Sequence, residues 1–155
     1  MRIAAVAMCV ISAFLVAGCG MSGKPAVENT VAIESDSLVT TFNIPSSTLT
    51  AGQTVDAVVT VRNTGWKSIT VTPSSGASVY ITLWKNTGLG WTQIKTYPRS
   101  AEMVMKPWVL KWRSSREFRI SVPVEPDWPV GEQIKLAAEV NGLPDRPSMV
   151  VQVSR

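Results

Sequence analysis

The side chains that most often carry out nucleophilic and acid–base chemistry are scarce in this sequence. It contains no histidine and two cysteines, Cys9 and Cys19. A serine or cysteine nucleophile needs an adjacent base held by a third group, so without histidine the Ser-His-Asp and Cys-His arrangements cannot form. No Ser-x-x-Lys motif occurs either. We therefore expect no catalytic residues and no enzymatic activity.

Two pairs of carboxylates lie close together in the sequence, Glu34 with Asp36 and Glu125 with Asp127. Paired carboxylates can cleave glycosidic bonds when a cleft holds them about 5–10 Å apart. Both pairs lie in loops or at the start of a strand, where acids are normally solvated. The loop around Glu125 also lacks the additional oxygen ligands that Ca²⁺ usually requires. We expect neither catalysis nor a metal or cofactor at these acids.

Cys19 is the residue with the clearest chemical role. It follows Val16-Ala17-Gly18, which closes an apolar run from Ile3 that begins after Arg2. A charge, an apolar run and a small-residue exit form the pattern of a secretory signal peptide. With the cysteine after Gly18, the stretch resembles a bacterial lipobox. That resemblance implies cleavage before Cys19, with diacylglycerol on its sulfur and a fatty acyl group such as palmitate on the new N-terminus.

Two alternatives to this interpretation are an uncleaved transmembrane helix and an ordinary signal peptide. The apolar run is shorter than the roughly 18–20 residues that span hydrocarbon, and an ordinary signal needs no cysteine at the cleavage point. Cys9 would leave with the signal. The resemblance implies a protein anchored in a membrane of the cell envelope, on the non-cytoplasmic side. Gly20, which replaces the Asp that favours inner-membrane retention, indicates the outer membrane where two membranes exist.

The resulting organisation is a signal peptide at residues 1–18, a lipid-anchored tether at 19–36 and one domain at 37–155. The mature chain has a suitable size for one hydrophobic core. With Cys9 removed and Cys19 acylated, the domain has no thiol for a disulfide. The formal net charge of +4 is too mild to imply nucleic acid. Expected partners are the membrane and an envelope protein or polysaccharide.

Short alternating runs separated by turn residues predict an all-β domain. The clearest strands are Gln53 to Arg62 and Arg116 to Val124, whose central residues Val59 and Phe118 we expect to be buried. The predicted fold is a single antiparallel Ig-like β-sandwich of seven or eight strands. Further strands are expected at Leu38 to Ile44, Ala77 to Trp84, Trp91 to Tyr97, Ile134 to Val140 and Met149 to Val153. The short runs Ile69 to Val71 and Trp108 to Trp112 continue the alternating pattern.

The order of these runs resembles bacterial Ig-like or fibronectin-III-like modules. Leu49-Thr50-Ala51-Gly52-Gln53 and Val61-Arg62-Asn63-Thr64-Gly65 resemble their first strands, and Pro129-Val130-Gly131 with the run that ends at Gly142 resembles their final hairpin. Modules of this kind include adhesion-related domains and the bacillar intracellular proteinase inhibitor family. The Lys-Pro-Gly-Glu turn usual in these modules appears as Lys106-Pro107-Trp108-Val109. The resemblance implies the sandwich fold and admits a protease-inhibitor function.

Six basic residues stand against two acids between residues 99 and 119. Such a stretch can face anionic lipid or an acidic polymer. The alternative is an ordinary solvated face of a sheet, because the bases alternate with Trp112, Phe118 and Ile120, which we expect to point inward. The six basic residues are Arg99, Lys106, Lys111, Arg113, Arg116 and Arg119.

The hairpin from Ala77 to Tyr97 carries the candidate ligand-binding residues. Pairing Trp84 with Trp91 places Val79, Ile81, Leu83 and Ile94 on an inner face. The candidates then point outward, where clustered aromatic residues commonly mark a binding surface. They are Tyr80, Trp84, Trp91 and Tyr97. Cross-strand packing, cover by residues 27–35 and a different register remain open alternatives.

These features favour a non-enzymatic cell-envelope lipoprotein whose domain binds a protein or an envelope polymer. Two other functions stay open, a protease inhibitor and a structural spacer. Stoichiometric inhibition of an envelope protease would distinguish the inhibitor from the binding protein.

Overall fold

The computed structural model describes residues 29–74, 76–99 and 106–155. These residues form an all-β fold with eleven strands, more than the seven or eight expected. The strands are β1 (Asn29–Ser35), β2 (Leu38–Ile44), β3 (Thr48–Thr50), β4 (Thr54–Asn63), β5 (Ile69–Val71), β6 (Val79–Asn86), β7 (Trp91–Tyr97), β8 (Trp108–Leu110), β9 (Ser115–Pro123), β10 (Gln133–Val140) and β11 (Ser148–Ser154).

Three sheets contain these strands. The first has the order β1-β2-β4-β9, the second β3-β11-β10-β6-β7, and a small sheet joins β5 to β8. All pairings are antiparallel except that of β3 with β11, which is parallel. The expectation of a purely antiparallel fold is therefore wrong at this edge. A parallel pair needs a crossover between distant segments, which local alternation of residues does not reveal.

Strand β1 corrects the predicted boundary of the domain. Residues 29–35, which the sequence analysis assigned to the tether, pair with the whole of β2. Val31 and its neighbours alternate between half-buried and exposed, and Val31 packs on the core. An edge strand shows only weak apolar alternation, so the sequence pattern does not distinguish this segment from a tether.

One hydrophobic core lies between the first and second sheets, formed by alternate residues of both. Val59 in β4 has 0% exposure, as predicted. Phe118 is only half-buried, because β9 is an edge strand of the first sheet. Its ring meets Trp108 edge to face, with 5.6 Å between the ring centroids. Among the described residues, no helix is long and apolar enough to cross a membrane.

Candidate binding site

Asn63, the last residue of β4, joins two loops at one end of the fold. Its side chain has 0% exposure. The amide nitrogen Nδ2 lies 2.7 Å from the carbonyl oxygen of Lys67 and 3.2 and 3.3 Å from those of Leu110 and Lys111. The amide oxygen accepts a hydrogen bond from the Gly65 N–H at 2.9 Å. This side chain therefore fastens the β4–β5 loop to the β8–β9 loop.

Backbone contacts hold the same two loops against their neighbours. The Asn63 N–H donates to the Ser114 carbonyl oxygen at 2.9 Å, and the Thr64 N–H donates to that of Ser37 at 2.8 Å. Gly65 lies so close to Ser37 that an added Cβ would be 2.7 Å from the Ser37 Cβ. A larger residue at position 65 would force the β4–β5 loop away from the β1–β2 turn.

Two tryptophans on these loops stack on each other in solvent. The ring centroids of Trp66 and Trp112 are 5.7 Å apart, with an interplanar angle of 22°. Trp66 is 78% exposed and Trp112 is 48% exposed. An exposed aromatic pair offers a large apolar area with little conformational entropy to lose on binding. We call Trp66, Trp112 and Arg113 the tryptophan platform.

Arg113 completes the platform in a strained backbone conformation. Its guanidinium carbon lies 5.2 Å from the Trp66 ring centroid and 5.0 Å from that of Trp112. Its φ is +53°, in the left-handed region that L-residues rarely adopt. The turn is closed by the Ser114 N–H, which donates to the Lys111 carbonyl oxygen at 3.1 Å. Strain of this kind at a non-glycine residue often accompanies a functional role.

A shallow hollow and two exposed lysines border the platform. A hollow of about 260 Å³ lies beside Trp66 and is lined by Ser37, Gly65, Trp66, Lys67 and Ile69. Lys67 and Lys111 are exposed on the two loops. A flat ring pair beside a shallow hollow can hold a ring-shaped or planar ligand, and the cations favour an anionic one.

The four aromatic residues predicted in the β6–β7 hairpin do not share one face. The register pairs Trp91 with Asn86 and Trp84 with Gln93, and a β-bulge then shifts the pairing so that Leu83 faces Lys95. Ile94 is the extra residue and is 42% exposed. The predicted pairing of Trp84 with Trp91 is wrong because β6 continues to Asn86, which pairs with Trp91. The extra residue then reverses the faces of β7 beyond Ile94.

Tyr97 consequently points into the core. It faces Ile81 and is 3% exposed, so its predicted outward orientation is wrong. Its hydroxyl contacts the Glu125 carboxylate at 2.9 Å and accepts a hydrogen bond from the Trp128 Nε1–H at 3.3 Å. Burial raises the pKa of the Tyr97 hydroxyl.

Tyr80, Trp84 and Trp91 are half-buried. The Tyr80 hydroxyl accepts a hydrogen bond from the Ala77 N–H at 3.1 Å, and the Trp84 Nε1–H donates to the Thr82 hydroxyl at 2.9 Å. The Lys135 Nζ lies 5.1 Å from the Trp84 ring centroid and 4.9 Å from that of Trp91. All three side chains thus make contacts within the chain. Strand β1 belongs to the first sheet, so it does not provide the cover over these residues that was one of the alternatives.

The acid pair Glu125 and Asp127 belongs to an ion-pair network with β7. The Lys95 Nζ lies 2.6 Å from a carboxylate oxygen of each acid, and Arg99 also pairs with Glu125. The hydrogen bond from Lys95 holds the pKa of Glu125 below its ordinary value, although desolvation opposes this. Both acids therefore have a structural role in fastening the loop after β9 to the hairpin.

The other acid pair lies on the surface. Glu34 and Asp36 are both exposed, in β1 and the β1–β2 turn. Within the described parts of the chain, no group of three or more His, Cys, Asp or Glu residues could hold a metal ion.

The basic side chains between residues 99 and 119 make several separate contacts. Arg119 pairs with Glu117 at 2.8 Å, and the Arg116 guanidinium lies over the rings of Trp108 and Phe118. Lys106 and Lys111 are exposed. The predicted inward orientation of Trp112 is wrong, because β8 ends at Leu110 and Trp112 lies in the following turn.

Sequence reasoning missed the tryptophan platform. The alternation of Trp108, Leu110 and Trp112 predicts that Trp112 points inward, and the sequence carries no prediction for Trp66. A local signal was present, because Asn-Thr-Gly and Arg-Ser-Ser flank these tryptophans with turn residues. The lipidation residue Cys19, the signal peptide and tether residues 19–28 lie outside the described residues.

Similarity of this chain to known proteins is limited to its fold. No family model matches the chain, and no curated protein matches it. The Bacillus subtilis sporulation control protein Spo0M has a TM-score of 0.50 at 11% identity, covering 78% of this chain and 51% of Spo0M. This similarity concerns the fold alone.

Two other solved structures are less similar. The DNA glycosylase AlkC of Pseudomonas fluorescens has a TM-score of 0.46 at 12% identity, over 72% of this chain and 29% of AlkC. A Listeria innocua β-glucosidase also has 0.46, at 11% identity, over 83% of this chain and 16% of the enzyme. In each of these three structures, the chain matches less than two thirds of the other protein's length.

Proposed function

We propose that this chain is a non-enzymatic binding protein of the bacterial cell envelope, anchored by lipid at Cys19. Its domain would be an Ig-like β-sandwich, since two sheets of four and five strands share one core. The single observation that carries the binding function is the exposed Trp66–Trp112 stack on two loops that a buried asparagine fastens together. Ordered loops would present the rings with little entropy left to lose on binding.

The anchoring half of the proposal concerns Cys19. Replacement of Cys19 by Ser removes the acyl acceptor, so the variant should lose detergent-phase partitioning and labelling by fatty acid. The parent chain, expressed in the same cells, is the control. Partitioning of the Cys19→Ser protein at the level of the parent would overturn the lipid anchor without affecting the proposed binding surface.

The binding half is tested by comparing two pairs of tryptophans. The full-length protein in detergent is mixed with washed envelope fractions, and the retained protein is quantified. We expect Trp66→Ala/Trp112→Ala to abolish retention and Trp84→Ala/Trp91→Ala to preserve it. Far-ultraviolet circular dichroism and urea unfolding establish that both double variants are folded.

Loss of retention in Trp84→Ala/Trp91→Ala, with retention preserved in Trp66→Ala/Trp112→Ala, would instead assign the binding site to the hairpin. Iodide quenching provides a separate measurement, because Trp66 is the most exposed tryptophan among those described. The parent should lose a quenchable, water-exposed emission component when Trp66 is replaced. Equal retention of the parent and both double variants would contradict the proposal that these surfaces bind an envelope component.

A further inference from the structure

The class of ligand follows from the charges around the tryptophan platform, and this inference rests on the proposed function. Lys67, Lys111 and Arg113 are exposed on the two loops. None of them forms a salt bridge with a carboxylate of the described residues, whereas five other basic residues do. Those five are Lys85, Lys95, Arg99, Arg119 and Arg146. Arg113 of the platform and the two lysines beside it thus present positive charge that no carboxylate of the described residues pairs.

Acidic residues are absent from both loops. Residues 64–68 and 111–114 contain no Asp or Glu. Asp36 follows β1 in the turn that contacts Gly65; burial and, after it, repulsion from the Asp36 carboxylate raise the pKa of the Asp145 carboxyl. The charge presented by the two loops themselves is therefore purely positive, which suits an anionic ligand.

The ring faces specify a second property of the ligand. Stacked tryptophan side chains offer flat apolar faces, and the hollow beside Trp66 extends that surface to Ser37 and Ile69. The C–H face of a sugar ring can pack on such a surface while its hydroxyl groups remain in water. We propose that the tryptophan platform binds an acidic polysaccharide, with sugar rings on Trp66 and Trp112 and carboxylates near Lys67, Lys111 and Arg113.

A membrane surface combines the same two properties, because tryptophan and basic residues both favour an anionic lipid interface. The topology favours the polysaccharide. Asn29 pairs with Ile44, whereas Ser35 pairs with Leu38 beside the platform. The tether therefore enters at the far end of β1, and seven residues of strand separate this end from the platform by about 20 Å. In an anchored molecule, the platform lies at the end remote from its attachment.

The test uses two probes with the same rings and different charge. Oligogalacturonic acid is anionic, and its fully methyl-esterified form is neutral. Binding to the full-length protein is followed by tryptophan fluorescence and calorimetry at low salt. We expect the acid to bind at least about tenfold more tightly than the ester, a preference that salt reduces. The variant Lys67→Gln/Lys111→Gln should lose the preference, and the matched control Lys85→Gln/Arg146→Gln should retain it.

The outcomes separate this inference from the proposed function. Equal binding of acid and ester that still depends on Trp66 would overturn the acidic ligand and leave the binding surface intact. Binding to vesicles of anionic phospholipid, lost in Trp66→Ala/Trp112→Ala, without binding to either oligosaccharide would overturn it in favour of lipid. Binding to no probe would also overturn the acidic polysaccharide, whereas binding that is indifferent to both tryptophans would contradict the platform itself.

Discussion

Two substitutions of Arg113 should differ in their effect on stability and agree in their effect on binding. At its φ of +53°, an L-residue pays about 1–2 kcal/mol relative to a right-handed conformation. Glycine escapes this penalty but loses about 0.5–1 kcal/mol through the greater entropy of the unfolded chain. Arg113→Gly should therefore be more stable than Arg113→Ala by about 0.5–1 kcal/mol. Both variants lose the cation that contacts Trp66 and Trp112.

Comparison with the parent includes that lost contact. A cation–π interaction at an exposed site contributes about 0.5–1 kcal/mol, so Arg113→Gly should lie within about 1 kcal/mol of the parent. Arg113→Ala should be less stable than the parent by about 0.5–1 kcal/mol. The two variants should bind an anionic oligosaccharide equally weakly, because each removes the same charge.

Urea unfolding followed by circular dichroism measures the difference. With a slope of about 1.5 kcal/mol per molar urea, the midpoints of the Gly and Ala variants should differ by about 0.3–0.7 M. Asp36 has a φ of +51°, so the pair Asp36→Gly and Asp36→Ala is a matched control for the backbone effect. An Ala variant at 113 as stable as the Gly variant would refute the argument from strain.

Three further predictions concern stability. Val59→Ala removes a fully buried side chain and should cost about 1–3 kcal/mol in urea unfolding; a change near zero would mean that Val59 does not face the core. Asn63→Ala removes the partner of one buried and two part-buried backbone groups and should cost about 2–4 kcal/mol; a loss below about 1 kcal/mol would contradict its role in fastening the loops. Burial, with a contribution from Asp36, raises the pKa of Asp145, so ionisation of Asp145 destabilises the fold as pH rises. Asp145→Asn should therefore raise the thermal midpoint near about pH 7 and have no effect near about pH 3, whereas a gain of equal size at both pH values would exclude ionisation as the cause.

The strands with strong alternation could be predicted from the sequence. The predicted run from Gln53 to Arg62 corresponds to β4, and Arg116 to Val124 corresponds to β9, each within one residue. These strands bury one face, so period-two alternation is strongly imposed on them. The three-residue strand β3 and the parallel pairing of β3 with β11 carry no such signal, because they depend on contacts between distant segments.

Prediction of the hairpin site depended on the pairing register of β6 and β7, which the alternation of residues alone does not determine. A single bulge between Leu83 and Trp84 moved Tyr97 from the predicted outer face to the core. The opposite error occurred at Trp112, where a strand was expected to continue two residues beyond its actual end. At Tyr97 and Trp112, an error of one or two residues in register or strand boundary therefore changes the inferred surface.

The two aromatic surfaces differ in what already occupies their rings. On the hairpin, the Lys135 Nζ lies about equally close to Trp84 and Trp91, and this lysine comes from a central strand of the second sheet. On the platform, the cation comes from a strained turn, and Trp66 remains 78% exposed. The hairpin rings are therefore half-buried by contacts within the chain, whereas Trp66 of the platform retains most of its area for a ligand. This difference is why we assign binding to the platform and a stabilising role to the hairpin aromatics.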